Sequence, residues 1–210
     1  MHFDVFSQVQ QWTNDPIKRV LYPGCHRHLT ASLIFPQVTY IDSDEKVAEF
    51  YADKAVEKYI DENKVYDDDV VPRHYEFHCH DVNHPLPTGV GKDFDLLISL
   101  SAGLVTEPCS DYVRNGGYLL VNDAHSDART TFVRDNDWEL IAYCDEESGD
   151  GKGFTDSNLN RCFRVKVPRS KETQPMTQAQ AEESVKVGSR SKRSFKMPFE
   201  PMFYLFQKKR

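Results

Sequence analysis

Asp42 stands 18 positions after Gly24. An acidic side chain roughly 20 residues beyond a glycine turn is where a carboxylate meets the ribose hydroxyls of a bound nucleoside. A carboxylate only accepts hydrogen bonds, so it takes two vicinal hydroxyls at once. The turn itself, Tyr22-Pro23-Gly24-Cys25-His26, lacks a second glycine, and G-x-G-x-x-G is absent. Without close backbone approach at a helix N-terminus a pyrophosphate has no cradle. The pattern counts against NAD or FAD, and less against a nucleoside ligand without phosphate.

Other residues of chemical interest follow apolar runs in the same way: Asp81 and Val82 after FHCH, Ser99, Leu100 and Ser101 after FDLLI, and Asn122, Asp123 and His125 after GGYLLV. His125 is the candidate proton acceptor, with Asn122 orienting a substrate. The plainer alternative makes Asn122-Asp123 a helix cap and His125 a surface residue. Ser99 and Ser101 are not in a G-x-S-x-G elbow, so α/β-hydrolase chemistry is excluded. His74, His78, His80 and His84 fall within eleven residues, and Cys25, His26 and His28 form a second group. Imidazole and thiolate suit zinc, and His74, His78 and His80 share one face of a strand. The spacing matches neither H-E-x-x-H nor a paired-cysteine pattern. No metal ligands are assigned, and a metal-dependent enzyme using these histidines stays as an alternative.

Alternating elements must position these residues. Phe3, Phe6, Val9 and Trp12 form a helical stripe, ended at Asp15-Pro16. KRVLYPG reads as a buried strand and turn, LTASLIF as about two helical turns, and QVTYI as a second strand. Asp42-Ser43-Asp44 offers N-caps for one long helix to about Asn63. Further strands lie in RHYEFHCHD, FDLLISLSAG, YLLVND, WELIAYCDEE and EPMFYLFQKK, with a short helix and a Gly-Gly turn before the fifth. This order predicts an α/β fold, a doubly wound, mostly parallel seven-stranded sheet with helices on both faces. Residues 1–210 form a single Rossmann-like domain. The polar stretch 145–200 is an excursion or lid before the last strand, with a helix near 177–187.

The 210 residues carry a net charge of −7, unevenly spread. Residues 161–210 hold 13 Lys and Arg against 4 Asp and Glu, or +9; residues 1–160 hold 13 against 29, or −16. An acidic body argues against general nucleic-acid binding, although the basic region leaves it open. Five scattered cysteines without a CxxC pair fit a reducing, cytoplasmic compartment. No run is long and apolar enough to span a membrane, and the polar start is no signal peptide.

RVLYPGCHRHLTASLIFPQVTYIDSDEKV resembles the first two motifs of class I S-adenosylmethionine-dependent methyltransferases: strand, glycine turn, short helix, strand, acidic residue. FHCHDV looks like that family's adenine-side motif, and FDLLISLSAGLVTEPCSDYVRNGGYLLVND is similar to its fourth and fifth strands with their connecting helix. The likeness covers residues 16–145 and the Tyr-Leu-Phe strand. It implies S-adenosylmethionine as cofactor and a small-molecule substrate. It implies that Gly24, with the backbone of Tyr22, Pro23 and Cys25, borders the methionyl part. Asp42 then meets the ribose, Asp81 and Val82 the adenine, and Ser99 and Leu100 the floor near the sulfonium. LSAG replaces the Asp/Asn-Pro-Pro-Tyr sequence after the fourth strand, which counts against amino-methylation of bases. A binding or regulatory protein without turnover is the alternative within the same family.

Overall fold

A computed structural model describes residues 2–13, 15–67, 72–134, 137–144, 153–186 and 195–210. Its strands are β1 (Arg19–Pro23), β2 (Gln37–Asp42), β3 (His74–Cys79), β4 (Phe94–Ser99), β5 (Val113–Val121), β6 (Trp138–Cys144), β7 (Phe154–Thr155), β8 (Arg164–Lys166), β9 (Thr173–Pro175) and β10 (Phe203–Lys208). Its helices are α1 (His2–Trp12), α2 (Ala31–Ile34), α3 (Glu45–Tyr51), α4 (Lys54–Asn63), α5 (Thr106–Cys109), α6 (Asp127–Arg134) and α7 (Gln178–Val185).

Val20, Leu21 and Tyr22 of β1, and Leu96, Leu97 and Ile98 of β4, are all buried. Side chains alternate along a strand, so consecutive buried residues mean a sheet covered on both faces. The sheet order is β3-β2-β1-β4-β5-β10-β6-β7. Strands β1 to β5 pair in parallel, whereas β10 runs antiparallel between β5 and β6. Helices α1, α2 and α3 pack Val5, Phe6, Val9, Ala31, Val47 and Tyr51 on one face with Val20, Tyr22, Leu96 and Ile98. On the other face α5, α6 and α7 bring Cys109, Ala128 and Ala181 against Leu21, Leu97, Leu119 and Val121. This is the doubly wound, mostly parallel arrangement expected from the sequence, and among the described residues no helix is long and apolar enough to cross a membrane.

Four local features differ. The sheet has eight strands rather than seven, because Phe154 and Thr155 pair with Cys144 and Tyr143 at its edge. The expected long helix is two: the Asp53 carboxylate accepts from Ala55 N at 2.8 Å and starts α4 afresh. The first of the two, α3, is capped from within the offered Asp42-Ser43-Asp44 run, Asp44 accepting from Lys46 N at 2.9 Å. LTASLIF forms a single turn, α2, because Phe35 is already extended before Pro36. Gly116-Gly117 lies inside β5 as a bulge: Phe94 pairs with Val113 and Leu96 with Tyr118, so β5 accommodates extra residues. A Cβ on Gly117 would lie 2.7 Å from Val113 Cγ1, which is why the bulge needs glycine there.

Residues 145–152 and 187–194, including the SRSKRS run, lie outside the described residues. The rest of the polar excursion is built into the face of the sheet. Phe163 is fully buried, with its ring 4.5 Å from those of both Phe132 and Tyr204. The helix near 177–187 is α7, begun by a capping box of Thr177 and Gln180. Arg129 of α6 is also buried: its guanidinium donates to the Asp123 carboxylate and, at 3.3 Å, to the Phe195 carbonyl, tying the returning segment down.

If this segment completes the core, Phe163→Ala should lower stability by about 3–5 kcal/mol. Urea unfolding measures it; a loss below about 0.5 kcal/mol would show that the segment is a surface appendage.

Candidate functional site

Gly24 ends β1 with φ +61°, a left-handed turn that glycine adopts without strain. Its N–H donates to Ile41 O at 2.7 Å, fixing the turn against the end of β2. A Cβ on residue 24 would stand 2.3 Å from Ala102 Cβ, so the turn and the loop after β4 touch only because residue 24 has no side chain. At the end of β2 the half-buried Asp42 carboxylate accepts from His26 N–H at 2.8 Å on one oxygen and from Asp44 N–H at 3.0 Å on the other. Each oxygen thus keeps capacity for a further donor. Its own carbonyl accepts from His80 N–H at 2.9 Å, bringing the end of β3 alongside. There Asp81 Oδ1 accepts from the Asn83 backbone N–H at 2.9 Å and side-chain amide at 2.8 Å, and these bonds hold its carboxyl below the usual carboxylate range.

Gly24, Asp42, Asp81 and Val82 thereby come together with Ser43, Asn83 and the 102–105 loop around a cleft of about 350 Å³. That is within the range of small-ligand sites. It lies beyond the carboxyl ends of β1 to β4, beside the point where the strand order turns back, the general location of ligands in open α/β sheets.

The other expected residues do not line this cleft. Tyr22 faces the α1 side, its hydroxyl 2.7 Å from His28 Nδ1. Pro23 is buried. Cys25 is buried, and burial pushes its thiol up to about 12, a neutral group rather than a nucleophile. Leu100 belongs to the core with Tyr22. Ser99 turns to the opposite face and donates to Asp127 Oδ2 at 2.6 Å. Asn122 pins the loop after β4, accepting from Ser101 N–H at 3.0 Å and donating to Ser101 Oγ at 3.1 Å. His125 is exposed on the loop after β5. On β3 the Glu76 carboxylate accepts from Thr39 at 2.9 Å, with His78 Nε2 3.5 Å and His74 Nε2 3.7 Å away. Among the described residues no three His, Cys, Asp or Glu side chains are placed to hold a metal ion.

The sequence reading missed the Ala102–Val105 wall and the buried Asp127. A lone acid opening a helix reads as favourable for the helix dipole, and nothing in the local pattern marks it as buried.

No protein-family model matches the chain, and no curated protein matches it in sequence. Solved structures resemble it. The plantazolicin methyltransferase BpumL in complex with SAH is 11% identical, over 99% of this chain and 82% of that one, with a TM-score of 0.49. SAM-bound CalS10, an amino pentose methyltransferase from Micromonospora echinaspora, is 19% identical over 57% of this chain, with a TM-score of 0.40. The [4+2]-cyclase SpnF is 21% identical over 57% of this chain, with a TM-score of 0.39. The chain spans 48% of the CalS10 chain and 43% of the SpnF chain.

His28 supplies a pH test of the loop after Gly24. Burial, and secondarily the charge of His2, lower its pKa from 6.5 to about 4. The His28 ring lies 4.6 Å from that of His2. The unfolded chain therefore takes up this proton first as pH falls. The stability tied to neutral His28 is whole above about pH 6.5 and lost progressively toward pH 4. Urea midpoints across that window should fall with pH, and His28→Gln should flatten the slope. An unchanged slope in the variant would remove His28 as its source.

Proposed function

We propose that the chain binds S-adenosylmethionine in the cleft over β1 to β4 and directs its methyl group to a small-molecule acceptor. The observation that carries this reading is the meeting of Gly24, Asp42, Asp81 and Val82 around one cleft at the topological switch point. The doubly wound sheet and the sequence resemblance support it. The residues fit the nucleoside part of such a cofactor. Asp42 keeps an acceptor site on each oxygen for a vicinal diol, and Asp81 with Val82 offers a polar and an apolar edge to the adenine. Gly24 borders the methionyl side, while the side chains of Tyr22, Cys25, Ser99 and Leu100 stay packed away from the cleft.

When bound, the cofactor supplies a methyl group activated on a sulfonium. The chain's own contribution is chiefly positioning. Asp42 fixes the ribose, and Asn122 holds the loop after β4 against the loop after β5. His125, exposed beside that loop, accepts the acceptor's proton where one must leave. One observation favours the second reading, binding without turnover: the Ala102 methyl packs on Gly24, at the turn beside which the methionyl part would run.

Calorimetric titration should give micromolar binding of S-adenosylmethionine and S-adenosylhomocysteine and none of NAD. Asp42→Ala should weaken both ligands at least tenfold, about 1.4 kcal/mol; undiminished affinity in a folded variant would remove the ribose role. Methyl transfer to a panel of small acceptors then separates the two readings, since a binding protein shows affinity without product.

A further inference from the structure

A second cleft, of about 380 Å³, opens between α5 and α6 on the face opposite Tyr22, with Thr106, Asp111, Asp127, Thr131, Asp137 and Trp138 in its wall. Leu104 borders both clefts, so a single short segment separates them.

The wall holds an unusual carboxylate. Asp127 is 3% exposed, yet among the described residues no cation pairs with it. Three donors converge on one of its oxygens: Ser99 Oγ and Thr106 Oγ1, each at 2.6 Å, and Thr106 N–H at 3.2 Å, all to Oδ2. No described residue donates to Oδ1, and the residue lines the cleft. Burying a carboxylate is costly unless its acceptor capacity is met, and here one oxygen takes all the protein donors while the other keeps its capacity at the wall of the cleft. Burial raises the Asp127 pKa, the mark of a group that lacks a compensating charge. The surroundings are short of cations as well. Among the described residues Arg134 is the one basic residue lining the cleft, and it is already paired with Glu107, whereas Asp111 and Asp137 are exposed acids in the same wall.

We propose that this cleft is a second ligand site, taking a small molecule with a primary ammonium group whose anchor is Asp127 Oδ1. The number of free acceptors selects the cation. With Oδ2 saturated, the carboxylate cannot receive the two parallel bonds of a guanidinium fork. A compact ammonium needs only a single strong acceptor, and its remaining donors reach the neighbouring hydroxyls. Asp111 and Asp137 supply a field that attracts such a cation to the mouth. Trp138 lines the cleft with its N–H donated to Ser110 Oγ at 3.2 Å, so the apolar part of its ring is what an alkyl chain there would meet. The site does not depend on the nucleoside reading of the first cleft, because none of Gly24, Asp42 and Asp81 lines it.

The test uses the full chain and 1,4-diaminobutane, followed by tryptophan fluorescence at low ionic strength. Trp138 lines the cleft, while Trp12 packs on Phe154 and supplies a constant background. A saturable change is expected with the diamine, a weaker one with butylguanidine and none with 1,4-butanediol. Asp127→Asn keeps the side-chain shape and removes the charge, and it should weaken the diamine about tenfold or more. Should that variant fail to fold, the doubly substituted surface variant Asp111→Asn, Asp137→Asn should still weaken binding severalfold at low salt. The proposal falls if the diamine fails to saturate by about 10 mM. It falls equally if the diol or calcium chloride at matched ionic strength gives the same change, or if folded variants bind undiminished.

Discussion

The first cleft depends on the contact between Gly24 and Ala102. A parallel sheet brings the ends of β1 and β4 side by side, but the loops that follow must still pass one another. At residue 24 a backbone with φ +61° and no Cβ lets the loop after β4 settle directly on the turn. The turn's N–H then reaches Ile41, and the Asp42 carboxylate holds both His26 and Asp44 by their backbone N–H groups. One missing side chain thus lets the loop after β4 lie against the turn after β1, and both line the cleft.

How far the sequence could be read varies with the kind of interaction. Gly24, Asp42, Asp81 and Val82 were legible because a rule about strand ends and an offset along the chain picks out backbone positions, and parallel strands bring those positions together. The rule is blind to which face a side chain takes. Ser99 and Tyr22 also sit at strand ends, yet alternation sends Ser99 toward α6 and Tyr22 toward α1. The run from Asp42 to Asn63 looked like one helix because apolar spacing continues through it. The break at Asp53 is a matter of one carboxylate competing for Ala55 N–H, which spacing does not record. Asp127 was hidden for a different reason: its burial is produced by α5, a neighbour reached only through the fold.

The two faces of the sheet divide the polar work. On the α1 side Tyr22 is bonded to the half-buried His28 and Tyr40 to Ser32, all uncharged partners. On the α6 side buried hydroxyls are joined by two buried charged residues. Asp127 is held by hydroxyls, and Arg129 is neutralised by Asp123 and the Phe195 carbonyl. A buried ion pair adds little net stability compared with apolar packing, but breaking one is costly. Such a pair therefore fixes the path of the segment that returns to β10 more than it strengthens the core.

The place of β10 bears on how the protein is made. Residues 203–208 lie between β5 and β6, so the sheet cannot close in the order in which the ribosome delivers its strands. The five parallel strands can assemble as they emerge. β6 must then wait without its neighbour, while β5 presents an open edge carrying Tyr118, Leu119, Leu120 and Val121. Unpaired apolar edges recruit other chains. During that interval the gap between β5 and β6 is the place where a wrong strand would pair.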